Sequence, residues 1–383
     1  MKILMVSIFA PHFFNWAEQL RDSCHEVYWL DVLDSNTKVE RIDFANQIVG
    51  WRYKCKYPGR YYLKKEIPFL NRLVNIFNER DFQTFFDKQL REINPDVVHS
   101  FVMYLTSAPI REVMKRHDNI KWVYSSWGSD LFFYRNRKRE LEEIEKTLPH
   151  VNYMFADCLR DYRIAVENGF SGNFLGVFPG GGGYDLAVTD SLMVPKNKRK
   201  RILVKGYQGL HGRSIQVLQA LWKIKEKIEE RDQQIVVFGA DEEVRKYVAN
   251  SPLRSWKALR IIGQVPHSSV MQLMGGAFLY VGNSLSDGIP NTLLEAIIMG
   301  AFPVQSNPGG ATAEVVTHRK NGMLIKDPEN TEALAELLEE SITDSALRSK
   351  AIKWNLDNIK PRLERGRVRE EVLKAYQLVA NDL

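Results

Sequence analysis

Short apolar runs recur along the chain at intervals long enough to hold a helix between them. In the first half they occupy residues 2–8, 26–31, 96–101, 121–126, 152–155 and 173–178. In the second half they occupy residues 201–205, 234–239, 259–263, 278–281 and 323–325. These runs are rich in Val, Ile, Leu and aromatics and do not alternate with polar residues, the pattern of strands covered on both faces. Segments of helical spacing separate them. One starts near Asn15, and another is opened by Arg213 and carries Ile215, Leu218, Leu221, Trp222 and Ile224 on one face. Later ones cover residues 331–340, 351–358 and 368–378. Strand, helix, strand in this order predicts an α/β fold with parallel sheets and crossover helices. The charge alternation over 135–145 reads as a solvated helix face. Residues 195–201, PKNKRKR, are polar and cationic and read as a linker, which divides the chain into domains 1–195 and 196–359.

Length and composition narrow the class. A chain of 383 residues holds two domains of ordinary size. With 44% hydrophobic and 26% charged residues it is globular, neither disordered nor fibrous. A net charge of +6 and a pI near 9.0 fit an anionic ligand or surface without naming one. Cys24, Cys55 and Cys158 have no metal-ligand spacing and read as reduced cysteines of a cytosolic protein. The start, MKILMVSIFAPHFF, has a short apolar run and no small-residue cleavage site, so it reads as a first strand rather than a signal peptide. No stretch approaches the ~18 apolar residues of a membrane helix.

The most informative stretch is SDGIPNTLLEAIIMG, residues 286–300. It predicts a helix from Asn291 to the stop at Gly300, apolar nearly all round through Leu293, Leu294, Ala296, Ile297, Ile298 and Met299. Glu295 sits in the middle, and a buried carboxylate needs partners. Two readings stand: a structural bond to a neighbouring loop, or a pair of ligand hydroxyls. Asp287 precedes the helix start, where free backbone N–H groups suit a phosphate. One site would then hold a phosphate and several hydroxyls, which describes a nucleotide sugar.

In SDGIPNTLLEAIIMGAFPVQSNPGGATAEVV the spacing Asp287-x7-Glu295 resembles the donor site of the family 4 retaining glycosyltransferases, glycosyl transferases group 1. The family's usual pattern is Glu-x7-Glu; Asp287 replaces the first Glu and has a shorter reach. Gly300-Ala-Phe-Pro-Val304 and Gly309-Gly310 match the later parts. The resemblance covers roughly residues 200–330 well and the rest in outline. It implies the GT-B fold, two doubly wound Rossmann-like domains facing a cleft, with the helix of residues 360–383 completing the first domain. It implies an enzyme that moves a sugar from a nucleoside-diphosphate sugar, commonly a UDP-sugar, with retention and without a metal or other cofactor. The acceptor would be a glycan or lipid-linked, as in cell-surface polysaccharide or glycoconjugate synthesis. Lys205 and Arg213 would clamp the diphosphate, Arg as a fork and Lys as a point charge; the family has the cations in the opposite order. Lys205 also reads as a plain strand-end charge. Glu295 would hold the ribose and Asp287 the donor sugar. Gly288, Ile289, Pro290, Asn291 and Thr292 would line the helix start, and Val265 would meet the base.

On the acceptor side the family carries a Gly-Gly pair where this chain has His12, which reads either as a catalytic or binding histidine or as a plain loop residue. Its His-Gly-x-Asp is here Trp127-Gly-Ser-Asp130. Trp127 can stack or donate one N–H but cannot act as an acid or base, and Asp130 reads as a cap on the following segment. His99 reads as a core residue. The four glycines of 180–183 are a weak phosphate-loop signal and read as the mobile end of the first domain.

Residues 51–91 interleave cations with aromatics. A solvated face, an anionic membrane surface and nucleic acid compete; no recognition fold supports the last. With a lipid-linked acceptor the membrane reading gains, and a cytoplasmic protein peripheral to the inner face of the membrane is expected. Two rival functions remain: a nucleotide-sugar epimerase, which needs no acceptor, and a non-catalytic two-domain binding protein, which releases no nucleotide.

Overall fold

The computed structural model describes residues 1–55 and 57–383; Lys56, within the basic-aromatic stretch, lies outside the described residues. The chain forms two compact units. The first comprises Met1–Ala156, Tyr162–Gly176 and Glu371–Leu383, the second Asp157–Asp161 and Val177–Glu370.

The first unit is built on β1 (Lys2–Ser7), β2 (Glu26–Asp31), β3 (Asn46–Ile48), β4 (Val97–Phe101), β5 (Lys121–Ser125), β6 (Tyr153–Ala156) and β7 (Asn173–Val177). Their order is β3-β2-β1-β4-β5-β6-β7, and β1 to β6 pair in parallel. Ile3, Leu4, Met5 and Val6 are all fully buried, as their unbroken apolar run requires. The first helix, Pro11–Glu18, begins four residues before Asn15, because Pro11 at its first position needs no N–H partner. His99 is indeed in the core. Its Nδ1 is 2.6 Å from the Tyr376 hydroxyl and its Nε2 2.8 Å from Ser125 Oγ. The Trp16 indole N–H donates to the same Tyr376 oxygen at 3.1 Å.

The second unit is built on β8 (Arg201–Lys205), β9 (Gln208–Gly209), β10 (Gly212–Arg213), β11 (Gln234–Phe238), β12 (Leu259–Ile261), β13 (Ala277–Gly282), β14 (Phe302–Ser306) and β15 (Met323–Ile325). Six form a parallel sheet in the order β12-β11-β8-β13-β14-β15, while β9 and β10 form an antiparallel hairpin. Successive strand residues feed opposite cores. Ile202, Val204, Leu279 and Val281 join one cluster; Leu203, Val236 and Tyr280 join the other, with the Asn291–Ile298 helix.

The expected division at 195 falls inside the second unit. Residues 177–195 are tied there by Tyr184, whose N–H donates to Leu363 O at 2.8 Å and whose carbonyl accepts from Arg365 N–H at 2.9 Å. Residues 360–370 therefore belong with them, as does the glycine loop of 180–183, and only Glu371–Leu383 joins the first unit. Among the described residues no helix is long and apolar enough to cross a membrane.

Candidate functional site

The residues singled out in the second unit meet at the carboxyl ends of β8 and β13, where open parallel sheets gather ligands. β8 ends on Lys205, which is 9% exposed. Its Nζ lies 3.4 Å from Asp287 Oδ2 and 5.2 Å from the centre of the Tyr207 ring. Asp287 also accepts from Gly288 N–H at 3.1 Å. A Cβ on Gly288 would lie 2.1 Å from Asp157 Oδ2, so no larger residue fits there without displacing that carboxylate.

The Asn291–Ile298 helix follows with Pro290 as its N-cap. Leu293 and Leu294 N–H donate to Pro290 O, at 3.0 and 3.2 Å, and a helix start of this kind carries partial positive charge. Glu295, one turn in, is 5% exposed, and its Oε1 is 2.7 Å from Nε2 of the exposed His267. Burial first, and then the Glu295 charge, hold the Tyr184 phenol far above its ordinary value. Burial does the same for Tyr280, whose hydroxyl lies 2.8 Å from Thr292 Oγ1. Both phenols therefore stay neutral beside the carboxylate. A Cβ on Gly181 would lie 3.4 Å from Asn291 Oδ1, so the glycine loop reaches this helix start. Ile289 is half-buried beside buried Gly288 and Pro290, and Val265 is half-buried in the loop between β12 and the His267–Gly275 helix.

Arg213 has partners of its own. Its guanidinium donates to Glu329 and to the Gly209 and Gly212 carbonyls of the β9–β10 hairpin. That hairpin in turn accepts Leu285 and Ser286 N–H at Leu210 O, at 3.0 and 3.2 Å, and so holds the loop that carries Asp287.

Sequence reasoning missed a second cation. Arg160 is buried; its Nη1 donates to Asp287 O at 2.7 Å and to Pro308 O at 2.8 Å. Its Nε donates to Asp161 Oδ1 at 2.8 Å. Burial works against its charge, but the Asp161 and Asp157 carboxylates outweigh that and keep it firmly protonated. Asp157, Cys158 and Asp161 bring possible metal-ligand atoms within 4.8 Å of one another. Arg160 takes Asp161, and burial pushes the Cys158 thiol up so that it stays protonated, so the set suits a guanidinium better than a metal ion. His267 was missed too; the only sequence signal was its place two residues after Val265.

In the first unit His12 is exposed in the opening turn of Pro11–Glu18, its ring centre 6.3 Å from that of Trp127. Trp127 leans on buried Phe101 at 5.1 Å. Asp130 differs from the expected cap. It is buried, both its oxygens lie 2.8 Å from Met103 N–H, and it accepts from the Tyr124 hydroxyl. It pins the turn after β4 instead of projecting outward, since a buried carboxylate must have its lone pairs filled.

The glycosyl transferase 4-like family profile matches residues 2–160, and that of glycosyl transferases group 1 matches residues 194–355. No curated protein matches the sequence. Among solved structures the chain is similar to a sucrose-phosphate synthase of Thermosynechococcus elongatus, at 14% identity and TM-score 0.75 over 100% of both chains. It is similar to HepE of Anabaena in complex with UDP-glucose, at 13% identity and TM-score 0.69 over 98% of this chain and 99% of that one. It is also similar to the lipopolysaccharide outer core galactosyltransferase WaaB, at 15% identity and TM-score 0.69 over 100% of both. These likenesses give the fold, GT-B, with two parallel-sheet Rossmann-like units.

Proposed function

The chain belongs to the glycosyltransferases, a glycosyl transferase 4-like domain followed by a group 1 domain, and from that premise we propose a retaining, metal-independent transfer from a UDP-sugar. The observation that carries it is the buried Lys205 and Glu295 and the half-buried Asp287 gathered at one loop-to-helix junction. Lys205 and the helix start offer positive charge to a departing diphosphate, typically worth ~3–4 kcal/mol per well-placed donor. That supply is the argument for transfer without a metal. Asp287 holds Lys205 until the donor arrives, then takes hydroxyls of the donor sugar. Glu295 exchanges His267 for the ribose. The base lies against Val265, and the N–H groups from Gly288 to Thr292 add to the phosphate and sugar contacts. Arg213 joins the diphosphate by leaving Glu329. The leaving phosphate helps to deprotonate the acceptor on the same face. The uridine base is supported by the UDP-glucose in HepE. His12 and Trp127 line the acceptor side, with Asp130 positioning the turn beneath. The acceptor is a glycan or is lipid-linked, met at an anionic membrane surface on its cytoplasmic face, as in polysaccharide or glycoconjugate synthesis.

The test is thermal stability in EDTA with UDP, GDP and ADP and their sugars, for wild type and Glu295→Ala. A uridine-specific shift that survives EDTA and falls in Glu295→Ala is expected; at 100 Kd of ligand the gain is ~2.7 kcal/mol. No shift with any nucleotide in folded wild type would overturn the donor site. Conversion of the nucleotide sugar without an acceptor would make the protein an epimerase. Product from an α-linked donor then reports its own anomeric form, and a β product would end the retaining assignment.

A further inference from the structure

The Pro68–Asn78 helix is inside out. Phe69, Leu70, Leu73, Ile76 and Phe77 recur at helical spacing and form a stripe about 120° wide. Such a stripe ordinarily faces the core. Here it faces water: Phe69 is 72% exposed, Ile76 70% and Phe77 77%, and no residue of the helix is fully buried. The opposite face carries Asn71, Asn75 and Asn78, all half-buried. Asn78 is fixed to the body, accepting from Cys55 N–H at 2.8 Å and donating to Cys55 O at 2.9 Å. Lys54 Nζ holds the helix end at Phe77 O, at 2.8 Å. The polar face is thus anchored at its end by Asn78, through bonds that a turned helix would lose.

The preceding helix, Arg60–Glu66, carries exposed Tyr62 and is followed by exposed Ile67. Four cations, Arg60, Lys64, Lys65 and Arg72, lie within 57–78 against one acid, Glu66. A contiguous apolar patch of this kind marks a binding surface.

We infer that the outward face of Pro68–Asn78, with the cations of Arg60–Glu66 beside it, docks the protein on an anionic lipid surface. Apolar side chains enter the acyl boundary while Lys64, Lys65 and Arg72 meet the headgroup phosphates. Eleven residues span only about 16 Å, half of what crossing needs, so the helix lies in the interface. A second copy is a poorer occupant, because a two-fold contact would set this cationic patch against itself. The inference stands apart from the donor reading and needs none of its residues.

Flotation with vesicles of phosphatidylcholine containing about one third phosphatidylglycerol tests it, beside phosphatidylcholine alone. Wild type should float with the anionic vesicles, and salt should weaken this without abolishing it. Phe69→Ser/Ile76→Ser/Phe77→Ser should lower the bound fraction roughly tenfold or more. Phe69→Leu/Phe77→Leu should keep most of it, and Lys64→Glu/Lys65→Glu should remove the preference for anionic lipid. These side chains are exposed, so the variants should melt like wild type. The nucleotide shift in each reports the donor unit separately. Vesicle binding without any nucleotide shift would sink the donor reading and leave this one intact. Wild type that does not float, or a triple Ser variant that floats equally, would overturn the inference. So would a dimer in sedimentation that the triple Ser variant dissolves while vesicles are ignored.

Discussion

Gly288 marks the closest approach between the loop of Asp287 and the acidic segment at Asp157. A methyl there would meet Asp157 Oδ2 at 2.1 Å and Cγ at 2.6 Å. Gly288→Ala should cost about 1–3 kcal/mol by the urea midpoint, and it should weaken the nucleotide shift by moving Asp287. His99 makes a second prediction. Burial holds its imidazole well below 6.5, so it folds neutral. Between 6.5 and that lower value the unfolded chain binds a proton that the folded chain does not. The contribution is therefore present above pH 6.5 and is lost as pH falls below it, by about 1.4 kcal/mol per unit. His99→Gln should flatten the dependence of the urea midpoint on pH in that window. At this scale Asp287 and Glu295 were legible because a carboxylate inside an apolar helix, and another beside Gly and Pro, break a pattern. Asp157 and Arg160 were not, because their partners stand over a hundred residues away and nothing local is unusual.

The Asn291–Ile298 helix is only eight residues long, too short to be stable alone, and burial carries it. Ile297, fully buried, should cost about 2–5 kcal/mol as Ile297→Ala. Its end is fixed by Gly300 at φ +71, which lets Ala301 N–H reach back to Ala296 O at 2.9 Å. Gly300→Ala should cost about 1–2 kcal/mol, read by thermal or urea unfolding, and Gly300→Asn less. The end at Gly300 was legible because glycine tolerates that backbone conformation. β14 was hidden by Pro303, the hairpin of β9 and β10 by its four glycine-rich residues, and β3 by its brevity. The Pro68–Asn78 helix was obscured for a different reason. Cations and aromatics drew the reading of 51–91, and its apolar stripe points opposite to the direction that periodicity alone assumes.

Each unit has a core of its own, so each should unfold as a unit. Tyr376, fully buried, belongs to the first. Deleting 371–383 takes away the hydroxyl that meets His99 and Trp16. The truncated chain should lose several °C in the transition of the first unit. A nucleotide should still raise the transition of the second, which calorimetry can separate. Parallel sheets were legible from the unbroken apolar runs. The division at 195 was not, because composition marks a cationic linker while the hydrogen bonds of Tyr184 decide where the chain is held.

The small segment Asp157–Asp161 has a meaning for heredity. It is spelled out in the gene before Tyr162–Gly176 of the other unit, yet its arginine braces Asp287 and Pro308. A crossover at codon 177 would transplant a complete sheet and leave its brace behind. Exchange of donor units between such genes therefore works as a cassette only when the exchanged piece runs from 157 to 370 and carries the fifteen residues 162–176 of foreign first unit with it.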